Sequence, residues 1–185
     1  LYAILPMLDQ DRIITTSARM MEEYSADVVQ VWRYSDLKLL HTIAVPPGLK
    51  RDGTPLGWSA MMRFAARPMA DGSILINSYG CAFYRLTGLT SPDPKIAHVY
   101  DIHGSDPARQ SSRIGCSVPV LIGKHWIMPV AWSQSVYVLD VSDPSAPREV
   151  SRLQMPDNFD AHWAARDPLS DRIAIGAELE KEKGI

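Results

Sequence analysis

The chain has 185 residues, 46% of them apolar and 22% charged, with a formal net charge of −2. That length supports one domain with a real hydrophobic core. The near-neutral balance, with no run of Lys or Arg, gives no electrostatic basis for binding nucleic acid or an anionic membrane. No apolar stretch approaches the roughly 20 residues of a membrane-spanning helix.

In chain order, Tyr2–Leu8 is apolar and leads into the turn Asp9-Gln10-Asp11. Arg12–Ser17 is β-branched and strand-like. Ala18–Ala26 suits a loop with one helical turn. Val28–Tyr34 and Leu37–Val45 read as two strands around Ser35-Asp36. Pro46–Gly57 is rich in Pro, Gly and charge, the composition of a loop.

A second unit starts near Ser59–Pro68 and turns at Ala70-Asp71-Gly72, a strong hairpin signal. Ser73–Tyr79, Ala82–Leu86 and Lys95–Ile102 continue it, and a polar loop, Gly104–Arg113, closes it. A third unit holds Ser117–Ile122, His125–Ala131, Val136–Val141 and Glu149–Leu153. A fourth opens with His162–Arg166 and Arg172–Gly176.

Val28, Ala82 and Val136 head the third strand of successive units at a constant interval of 54 residues. Trp32, Leu86 and Asp140 hold a later position at the same interval. Four short strands per repeat at such a period fit β-propeller blades. The predicted fold is all-β: a β-propeller fragment of about three four-stranded blades, at residues 1–48, 58–103 and 115–156, with an incomplete fourth at 160–185. The chain begins at Leu1 in mid-pattern and reads as a piece of a longer protein. Its export signal and compartment, cytoplasmic or periplasmic, are therefore open.

Cys81 and Cys116 each follow a Gly in an apolar strand context. They read as buried reduced thiols, which favours a reducing compartment.

Several segments carry a family resemblance. Leu139-Asp140-Val141-Ser142-Asp143-Pro144, followed by Pro147-Arg148, resembles the strand-turn-strand motif of the selenium-binding protein / methanethiol oxidase family. Val31-Trp32 with Leu40-His41-Thr42-Ile43, the run Ser78–Leu86, and Arg12–Ser17 resemble further segments of that family, in the same order. The resemblance implies a seven-bladed propeller that oxidises a small sulfur compound such as methanethiol at a copper site mostly outside this piece. Its partner would be a small-molecule thiol. The alternative is a non-catalytic propeller that binds a protein partner or small ligand. Enzymes of the family use histidines, including a His-His pair, to hold copper. No such pair occurs here, so no catalytic residue is carried over.

Among single residues, His125 and His162 stand out, because each precedes a Trp and each opens a strand-like run in successive blades. Equivalent strand starts would bring both towards the channel, which makes them metal-ligand candidates; imidazole nitrogen is a common ligand. Strand-end capping is the competing role. His41, His98 and His103 carry weaker signals. Asp143 before Pro144 is an expected Asx-turn residue, and Asp167 and Asp171 read the same way. Trp58, Trp126, Trp132 and Trp163 read as packing between blades. Glu178–Lys183 reads as a solvated insertion.

Overall fold

Within every sheet each strand pairs with the next in sequence, so the pairing is local and antiparallel. The structure, a computed structural model, describes residues 3–16, 28–47, 63–102 and 115–177. The expectations for 18–26, 48–57, 104–113 and 178–183, and those for Trp58 and His103, lie outside the described residues.

The strands fall into two compact units, Leu1–Asp101 and Ile102–Ile185. The first unit holds two four-stranded sheets. One runs β1 (Ala3–Met7), β2 (Arg12–Thr16), β3 (Val28–Arg33), β4 (Leu39–Ala44). The other runs β5 (Arg63–Pro68), β6 (Ile74–Ser78), β7 (Ala82–Thr87), β8 (Lys95–Asp101). The second unit holds the sheet β9 (Val120–Ile122), β10 (His125–Val130), β11 (Ser135–Asp140), β12 (Arg148–Gln154), and the hairpin β13 (Ala161–Arg166), β14 (Ile173–Ala177). Three four-stranded antiparallel meanders and a hairpin are blades of a β-propeller. The hairpin read at Ala70-Asp71-Gly72 is present, with Pro68 paired to Ile74, and the next strands continue antiparallel: Ile74 pairs with Leu86, and His125 with Asp140.

In the first unit the faces of the two sheets share one core. Ile14, Val29 and Val31 meet Ile74, Ile76, Tyr84 and Leu86, all nearly or wholly buried. All five residues of β6 are buried, as befits a strand covered on both faces. Arg12 Nε donates to the Leu89 carbonyl at 3.1 Å and joins the two sheets near their turns. In the second unit Ile127, Val136 and Ala161 form one buried cluster, flanked by Ile122, Val138 and Ile175. The outer strand β12 is exposed along its whole length.

Two expectations change. Cys81 and Cys116 are not reduced thiols: both are disulfide-bonded, and neither has any solvent exposure. Cysteines distant in sequence gave no spacing signal for this. Cys81 also adopts a left-handed backbone (φ 68°) in the turn where its N–H donates to the Ser78 carbonyl. A side chain there costs roughly 1–2 kcal/mol relative to glycine, and the disulfide gives that position a reason to be Cys. The second change is Trp163, which is 52% exposed, whereas Trp126 and Trp132 are buried as expected.

Candidate functional site

His125 opens β10, the second strand of its sheet, and pairs with Asp140 on one side and Ile122 on the other. It is half-buried and lines a cleft of about 450 Å³. The cleft floor is apolar, with Ile122, Ile127, Val138 and Ile173, and its rim carries Arg166 and Asp171.

His162 lies near the start of β13, the first strand of the following blade. It is buried, and its Nδ1 is hydrogen-bonded to Ser117 Oγ at 3.0 Å. The Val118 N–H donates to the His162 carbonyl at 3.1 Å, and the Ala164 N–H donates to the Val118 carbonyl at 3.0 Å. The segment around Val118 thus runs along β13 as a parallel bridge. The adjacent Trp163 ring meets the imidazole edge-on, with centroids 4.9 Å apart.

The two histidines therefore do not occupy equivalent strand starts. First and second strands of a meander run antiparallel, so their starts lie at opposite ends of a blade. The cleft beside His125 touches Arg166 and Asp171 at the β13–β14 turn, the end of β13 remote from His162. The structure does not bring the two rings together. The sequence holds a better guide to register than the His-Trp pairs. Ala65-Ala66-Arg67 in β5 and Ala164-Ala165-Arg166 in β13 both fall in the closing half of a first strand.

The remaining described histidines have their own settings. His98 Nε2 lies 2.7 Å from Asp101 Oδ2, and the ring packs edge-on to Tyr84. His41 lines a shallow groove between β4 and the Pro92–Ile96 segment. Among the described residues no three His, Cys, Asp or Glu side chains are grouped to hold a metal ion.

The carboxylates serve turns. Asp143 Oδ1 accepts from the Ser145 N–H at 2.9 Å, the expected Asx turn. Asp167 Oδ1 accepts from the Leu169 N–H at 2.9 Å, and hydrogen bonds from the Ser170 hydroxyl and that N–H hold its carboxyl below the usual range. Burial pushes Asp71 upward, but hydrogen bonds from Ser73 and the Arg85 guanidinium outweigh it and leave the carboxyl lowered. Asp140 is the most heavily engaged. Its Oδ1 accepts from the Ser142 N–H at 2.9 Å; its Oδ2 accepts from Lys124 at 3.2 Å and Arg148 at 3.1 Å. Hydrogen bonds from Ser142, then Arg148 and Lys124, hold its carboxyl well below the carboxylate range. A carboxylate so satisfied is a poor proton acceptor near neutrality. Ser117 has no solvent exposure, so its hydroxyl is out of reach of a substrate, and the Ser117–His162 pair acts as a buried polar staple.

These blades define the class of protein as a β-propeller. No family of known proteins matches the sequence, and no curated protein matches it. In structure the chain is similar to a hypothetical selenium-binding protein from Sulfolobus tokodaii. The TM-score is 0.62 at 12% identity, over 83% of this chain and 38% of that one. It is also similar to a protein from Lactobacillus plantarum, with TM-score 0.50 at 13% identity, over 83% of this chain and 42% of that one. The chain spans less than half the length of either. At these identities the likeness shows the fold. Among the described residues no helix is long and apolar enough to cross a membrane.

Proposed function

We propose that the chain supplies blades of a propeller of the selenium-binding protein / methanethiol oxidase kind, and that these blades form its structural wall. The supporting observation is the Leu139–Arg148 segment. It carries the family-like Asp-Val-Ser-Asp-Pro motif, and it folds as a strand-turn-strand clamped by Asp140 within a chain whose structure resembles a selenium-binding protein.

The described residues do not fit a copper centre. His125 and His162 lie at opposite blade ends, His98 faces Asp101, and no third ligand accompanies any of them. A copper ion needs several N or S ligands converging on one point. Oxidation of a small thiol at copper, on this reading, belongs to residues of the complete propeller other than those described. The disulfide-bonded cysteines favour an oxidising compartment, periplasmic or extracellular, over the cytoplasm.

The test is the metal content of the complete protein, purified without added metal, together with consumption of methanethiol. Bound copper with thiol oxidation is the expected result. A metal-free protein that leaves methanethiol untouched would overturn the oxidase reading in favour of a binding propeller.

A further inference from the structure

We draw no further inference here: the strongest candidate, the shallow groove of about 530 Å³ between the outer strand β4 and the Pro92–Ile96 segment, carries none, because Lys95 on its rim is already paired with Asp93 and nothing in the structure shows what covers it.

Discussion

Asp140 and Arg148 face one another across β11 and β12, and the Arg148 guanidinium donates to Asp140 Oδ2 at 3.1 Å. The same oxygen takes Lys124 from the β9–β10 turn, so one carboxylate ties that turn to the β11–β12 connection of the blade. A carboxylate held below its unfolded value adds stability that is fully present above the unfolded pKa, about 3.9. That stability is lost as pH falls through the lower folded value. Stability should therefore fall on acidification below about pH 4. Asp140→Asn should lower the melting temperature at neutral pH and flatten the acid side of the profile. An acid profile identical in the variant would show that Asp140 carries none of this dependence.

The cysteines give a second prediction. Thiol titration of the denatured, unreduced chain should find no free thiol, and prior reduction should release both. Reduction should cost roughly 2–4 kcal/mol of stability. Free thiols before reduction would return the cysteines to the reduced state that their sequence context suggests.

Two tryptophans separate burial from exposure. Trp126 is fully buried, and Trp126→Ala should cost about 3–5 kcal/mol in denaturant unfolding. Trp163 is half exposed, and Trp163→Ala should cost clearly less. Equal losses would mean that the Trp163 face is covered in solution.

Blade architecture was legible in the sequence because β-branched and aromatic strands alternate with Asp-bearing turns at a constant interval. The turn at Asp143 formed as read, since an Asx turn is decided by neighbouring residues. The pairing of polar groups was not legible, because it depends on contacts between distant segments. Nothing local to Ser117 announces His162, and nothing local to Cys81 announces a disulfide. The His-Trp pairs suggested equivalent positions, yet one sits in a first strand and the other in a second. The direction reversal between those strands separates the rings.

The Ser117–His162 staple predicts a purely structural phenotype. His162→Ala should destabilise the fold by roughly 1–3 kcal/mol, because it removes a buried hydrogen bond between Ser117 and the imidazole. The melting temperature checks the loss, and Ser117→Ala, which removes the other partner, should also destabilise.

The most direct measurement is bound copper per polypeptide in the complete propeller, compared among the wild type, His125→Ala and His162→Ala. The account predicts copper in the wild type and the same copper in both variants, with His162→Ala less stable. Loss of the metal from either variant would place that histidine in the copper site and contradict the assignment of these blades to the propeller's structural wall.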